Sequence, residues 1–154
     1  MNKDQRRLRM AQLDRNLVRF SDIKNLPVPA GGWIHAIRTS LGMSLRQLGK
    51  KLNMTPQGVK DIERREAEGA LTLQRLREVA AAMHLQLVYS LIPQEQSLDK
   101  MIENRALALA KEIVLKTAQT MQLENQGIDQ EALREAIQKR AEKIKYDLPR
   151  NLWD

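Results

Sequence analysis

At 154 residues the chain has room for about one domain with an appended element. Scarce aromatics beside abundant Ala, Leu, Ile and Met favour helices over a sandwich or barrel. The absence of cysteine excludes disulfides and thiolate metal sites, and two histidines, His35 and His84, are too few for a metal cluster. No stretch approaches a membrane span, and the basic N-terminus lacks the continuous apolar region of a secretory signal. A cytoplasmic protein with no membrane association, no metal and no cofactor is therefore expected.

The net charge of +7 is unevenly placed. Residues 1–32 carry +4, residues 33–93 another +4, and residues 94–154 carry −1. The excess lies where a polyanion would bind, although charge alone serves a merely solvated basic surface equally well.

In chain order, Met10, Leu13, Leu17 and Phe20 recur at helical spacing among Arg6, Arg7, Arg9, Arg15 and Arg19, which predicts a basic helix over 3–20. Residues 25–32, with two prolines and two glycines, read as a linker. Trp33, Ile34, Ile37 and Leu41 form the stripe of the next helix, stopped at Gly42. Ser44 with Gln47 three residues on is a capping-box spacing, opening a helix striped by Leu45, Leu48 and Leu52. Asn53 and Met54 break it. Thr55 then serves as N-cap and Pro56 as first helical residue of a helix to about Arg64, with Val59 and Ile62 inward. Thr72 caps a further helix carrying Leu73, Leu76, Val79, Ala80 and Met83. Residues 85–92 alternate roughly, contain a β-branched residue and an aromatic, and stop at Pro93, which predicts a short strand. Its partner would be the same strand of a second subunit or an extended piece of this chain. A long helix is expected from Ser97 to about Met121, with Leu98, Met101, Ile102, Leu109, Ile113 and Val114 as its stripe. A turn at 124–129 containing Gly127 precedes a last helix capped by Asp129, carrying Leu133, Ile137 and Ile144.

The expected fold is thus mainly α: a five-helix-type helix-turn-helix bundle with a short β-strand, an N-terminal helical arm and a C-terminal helical extension. Its parts are a basic N-terminal helix (1–24), a linker (25–32), the DNA-binding domain (33–93) and a C-terminal extension for dimerisation or partner binding (94–154).

Residues 44–64 meet the physical demands of a helix-turn-helix. Leu48, Leu52, Met54, Val59 and Ile62 supply the apolar contact. Gly49 is the small residue where the helices cross, and Asn53 is the non-glycine residue best suited to left-handed geometry. The run from Met43 to Glu63, closing on Ile62-Glu63-Arg64, resembles the Cro/C1-type, or XRE-like, helix-turn-helix family over residues 33–93. Two departures stand out. Leu45 occupies a place where the family often has a phosphate-contacting glutamine, and Asn53 replaces the usual turn glycine. A narrower resemblance spans nearly the whole chain. The Pro-x-Pro-x-Gly-Gly-Trp33 lead-in, the Leu-Val-Tyr-Ser-Leu-Ile-Pro93 segment, the stretch 120–126 and the Leu-Trp-Asp154 end are similar to a bacterial family called mobile mystery protein A. Its members are usually encoded beside a Fic-domain protein, which implies a regulator or antitoxin-like partner of a Fic enzyme.

If the third of these helices reads DNA, its groove-facing half offers Thr55, Gln57, Lys60 and Asp61. Gln57 suits adenine, Lys60 guanine or a phosphate, and Asp61 either cytosine or a neighbouring side chain. Gly58, without a side chain, permits close approach to DNA or to the second helix. Arg46, Lys50, Arg64 and Arg65 are phosphate candidates, each with solvated charge as the alternative. One such motif makes too few contacts for high specificity, so a homodimer on an inverted-repeat DNA operator is expected, joined through the C-terminal helices or the 85–92 strand. The N-terminal arm would touch backbone or minor groove. No catalytic residues are expected. Glu63, Glu66 and Glu68 have no histidine near them in sequence, and Gly31-Gly32 is too little for a phosphate loop. The competing reading is a protein-interaction module that controls a partner enzyme and has only non-specific DNA affinity.

Overall fold

The computed structural model describes residues 2–123 and 129–154, and among them lie seven α-helices and two short 3-10 turns. They divide into two compact units, residues 25–90 and residues 1–24 with 91–154. The expected turn at 124–129, with its Gly127, and the end of the stretch 120–126 fall outside the described residues, apart from Asp129. No described helix is long and apolar enough to cross a membrane.

The unit 25–90 contains α2 (Gly32–Ser40), α3 (Leu45–Leu52), α4 (Pro56–Ala67) and α5 (Leu73–Ala82). Each start has a local cause. Ser44 Oγ accepts from Gln47 N–H at 3.1 Å while Gln47 Oε1 accepts from Ser44 N–H at 2.7 Å, closing the capping box that begins α3. Thr55 and Thr72 accept from the N–H groups of Gly58 and Arg75 and so begin α4 and α5. The start of α2 is capped from outside: Glu66 on α4 accepts from Trp33 N–H at 2.9 Å and Ile34 N–H at 3.0 Å. That carboxylate lies against Gly32, whose φ is +84°, and a Cβ there would stand 2.4 Å from Glu66 Oε2. Ile34, Leu48, Val59, Ile62, Val79 and Met83 make the core, with Ile37, Met43, Leu45, Leu52, Met54, Leu71, Leu76 and Ala82 around it.

Two sequence expectations are corrected. The bundle has four helices rather than five, and no strand forms at 85–92. Met83 closes α5, His84 takes a positive φ of 60°, and Leu85 N–H donates back to Ala80 C=O. From residue 86 to 96 the backbone makes no hydrogen bond to another described backbone group. A ladder needs a second strand, and within the described residues none is present to supply one. Hydrophobic alternation favours an extended segment but cannot create its partner.

The other unit is built on an antiparallel-type hairpin of α6 (Leu98–Leu123) and α7 (Gln130–Asp147), with α1 (Lys3–Val18) and a 3-10 turn (Arg150–Trp153) packed on α6. Its buried seam is Ala106, Ala110 and Ala141 with Ile144 and Leu152. The alanines let the helices approach closely, while Ile102, Leu109, Ile113 and Ile137 flank them. In the tail Leu152 is the buried residue and Trp153 is exposed. Arg105 holds this tail by donating to the carbonyls of Leu152 and Asp154.

The first helix is packed in place rather than carried as a free arm. Lys3 pairs with Asp147 at 2.6 Å, and Lys3 and Arg7 both lie over the Tyr146 ring. Asp14 accepts from Leu98 N–H at 2.8 Å and Asp99 N–H at 3.2 Å, so a residue of α1 caps α6. Asp14→Ala should therefore lower stability by about 1 kcal/mol, the usual worth of a cap, seen as a lower urea midpoint. An unchanged midpoint would show that Ser97, which accepts from Lys100 N–H, caps α6 sufficiently by itself.

Candidate nucleic-acid interface

The turn between α3 and α4 is made by three residues. Asn53 adopts φ 53°, ψ 45°, the left-handed geometry its short amide side chain tolerates. Met54 N–H then donates to Gly49 C=O at 2.9 Å. A Cβ on Gly49 would lie 2.6 Å from Met54 O, so the close crossing of α3 and the turn excludes any larger residue. Gly58 is less constrained, its nearest neighbour being the flexible end of Met54. Leu45 is partly buried against the core, so no polar side chain at that position reaches outward.

The candidate readers on α4 occupy different situations. Thr55 is exposed and its hydroxyl oxygen already accepts the cap hydrogen bond from Gly58 N–H, which leaves its own O–H free to donate. Gln57 and Lys60 are exposed, and among the described residues neither side chain makes a hydrogen bond or ion pair. Asp61 is half-buried and accepts from Arg64 at 2.6 Å. Arg64 also reaches Glu68 at 2.8 Å, so this guanidinium is clasped between two carboxylates on its own helix. Arg65 donates to Ala70 C=O at 3.2 Å. On α3, Arg46 and Lys50 are exposed with no carboxylate in ion-pair range among the described residues. The structure thus joins Asp61 and Arg64 in one network and leaves Gln57, Lys60, Arg46 and Lys50 uncommitted. Lys51, beside Lys50 and equally exposed, was not singled out by the spacing, because adjacent lysines at a helix end carry no periodic signal.

What holds this surface in place is buried behind it. Arg38 on α2 donates through Nε to Glu63 Oε1 at 2.5 Å and through Nη2 to Glu63 Oε2 at 3.2 Å. Both residues are buried, and Arg38 Nη1 reaches Met43 C=O at 2.7 Å. His35 Nδ1 lies 3.0 Å from Glu63 Oε2. The histidine that is missing beside Glu63 in sequence is brought to it by the packing of α2 on α4. Burial by itself would raise the Glu63 carboxyl, but hydrogen bonds from Arg38 and His35 and the guanidinium charge outweigh it and hold the group below its ordinary value. The available sequence signal was small: Arg38 abuts the apolar Ile34–Ile37–Leu41 stripe, and Glu63 follows the inward Ile62.

Residues 34–89 match the helix-turn-helix family of the XRE type. The matched stretch runs from within α2 through α5 to the start of the segment that follows. Fold and match together define a helix-turn-helix domain, a DNA-binding class, within this chain. No curated protein and no solved structure matches the chain.

The buried pair makes a signed prediction. A carboxyl whose folded pKa is depressed adds stability that is fully present above its unfolded value, 4.5, and is lost as pH falls through the folded value. Glu63→Gln keeps the shape but leaves Arg38 buried without its counter-charge, which should cost about 3 kcal/mol near neutrality. In urea unfolding the variant should also lose less stability than the wild type between neutral pH and pH of about 3. Parallel losses in the two proteins would remove Glu63 as a source of the acid sensitivity.

Proposed function

We propose that the chain is a sequence-specific DNA-binding transcriptional regulator that acts in the cytoplasm, without catalysis or cofactor of its own, as a homodimeric repressor of its own operon. The observation that carries this reading is α4 itself: a capped, rigidly backed helix in a helix-turn-helix, with Gln57 and Lys60 exposed and uncommitted. In this reading Gln57 contacts adenine bidentately, and Lys60 contacts guanine or a phosphate. Arg46 and Lys50, which have no carboxylate partner among the described residues, are the favoured phosphate contacts. Asp61 orients Arg64, and Arg64 and Arg65 contribute charge from behind the reading residues.

A second copy supplies the second half-site, so the operator is an inverted repeat with centres about 10–10.5 base pairs apart or a multiple of that. The resemblance of the 27–33 lead-in, the 87–93 segment and the 152–154 end to mobile mystery protein A supports an extension of the proposal, in which the regulator is an antitoxin-like partner of a Fic-domain enzyme. The competing reading, an interaction module with only non-specific DNA affinity, differs in one measurable respect: its DNA binding would not depend on sequence.

Gel shifts with DNA from upstream of the protein's own gene separate the two. The wild type should bind in the presence of competitor DNA, and Gln57→Ala/Lys60→Ala should lose specific binding by about 2–6 kcal/mol if both contacts read bases. The logarithm of affinity should fall steeply with the logarithm of salt, by about 0.9 for each phosphate neutralised. Arg46→Ala or Lys50→Ala should lower that slope by about one each, across all sequences. Binding that is insensitive to sequence and to Gln57 would favour the interaction module.

A further inference from the structure

The unit formed by residues 1–24 and 91–154 carries a groove of about 280 Å³ between α1, the start of α6 and the 3-10 turn. Met10, Leu13, Leu98, Met101, Ile102 and Trp153 form its floor and walls, all of them apolar. Two of these are conspicuously open to water: Leu13 is 47% exposed and Trp153 59%. An aromatic and a leucine left half in solvent beside one another form a place where a partner gains by covering them.

Arg6 and Arg9 stand at the edge of this groove. They are one helical turn apart on α1, on the same side as Met10 and Leu13. Nearby, Lys3 pairs with Asp147, and Lys145 with Asp99 and Glu103. Among the described residues Arg6 and Arg9 have no carboxylate within ion-pair range. The site is therefore apolar in its lining, with two arginines on one side that have no carboxylate partner among the described residues.

We propose that this groove docks an acidic amphipathic helix of a partner protein, with an aliphatic or aromatic side chain seated between Leu13 and Trp153 and flanking carboxylates on Arg6 and Arg9. Charge complementarity selects the acidic partner, and the open side of the groove selects a helix over a small amphiphile. A lone small molecule would leave Leu13 and Trp153 largely wet, whereas a helix inserts one or two side chains and covers the remainder with its own length. Insertion into an anionic membrane is a poorer fit, because Met10 and Leu17 of α1 are already partly buried in the unit and leave no continuous apolar face to insert. The proposal concerns a surface outside the helix-turn-helix and gives the chain a second interaction, independent of DNA.

The test uses the full chain carrying Trp33→Phe, so that Trp153 is the sole tryptophan reporter. The probes are two synthetic helical peptides with the same leucine face, one flanked by glutamates and the other by lysines, and separately vesicles of phosphatidylglycerol. The glutamate peptide should shift Trp153 emission saturably to shorter wavelength, and the lysine peptide should not. Arg6→Glu/Arg9→Glu, which alters only exposed side chains, should weaken binding about tenfold, and raised salt should weaken it further. Leu13→Ala should weaken binding with little effect on its salt dependence. Circular dichroism and DNA retention unchanged in both variants would tie these losses to the groove. Absence of saturable binding, equal binding of the two peptides, indifference to Arg6→Glu/Arg9→Glu, or a response to vesicles alone would overturn the proposal.

Discussion

Arg38 and Glu63 are buried together where α2 meets α4, and the geometry of the exposed helix-turn-helix surface depends on that pair. A guanidinium and a carboxylate removed from water must satisfy each other, because an isolated buried charge costs several kcal/mol. The two hydrogen bonds between them fix the distance and the rotation of α4 relative to α2. One turn later along α4, Glu66 caps the start of α2. The face of α4 that touches α2 is thereby committed through Glu63 and Glu66, while Gln57 and Lys60 stay exposed.

The same division between committed and uncommitted side chains separates structural charge from charge available to DNA. Arg64 looks like a phosphate contact when only its sign is counted, yet it spans Asp61 and Glu68 on its own helix. A phosphate would have to compete with two carboxylates for that guanidinium. Among the described residues Arg46, Lys50 and Lys60 have no carboxylate in ion-pair range. Positive charge on the 25–90 unit is carried to the surface by α3, by Lys60 and Arg65 on α4 and by Arg77 on α5, whereas Arg38 is buried.

The second unit obeys a different packing logic. Three alanines line its α6–α7 seam beside Ile144, so that contact gains from close approach of the two helices. The larger apolar residues flank that seam, and Leu13 and Trp153 remain partly uncovered. Asp14 and Lys3 tether α1 to this hairpin, which turns a basic helix into one wall of a groove instead of a mobile arm.

The sequence by itself determined much of what depends on neighbours a few residues apart. The caps at Ser44, Thr55, Thr72 and Asp129, the left-handed Asn53, the crossing Gly49 and the exposed Gln57 and Lys60 are local patterns, legible because capping and helical periodicity act within one or two turns. Tertiary structure alone decided what depends on partners distant in the chain. His35 meets Glu63 across 28 residues and Asp14 caps a helix 84 residues away, and neither leaves a periodic trace. The residues from 85 to 92 show the reverse case: their alternation has the pattern of a strand, but a strand is defined by a hydrogen-bonded neighbour, and none lies within reach among the described residues.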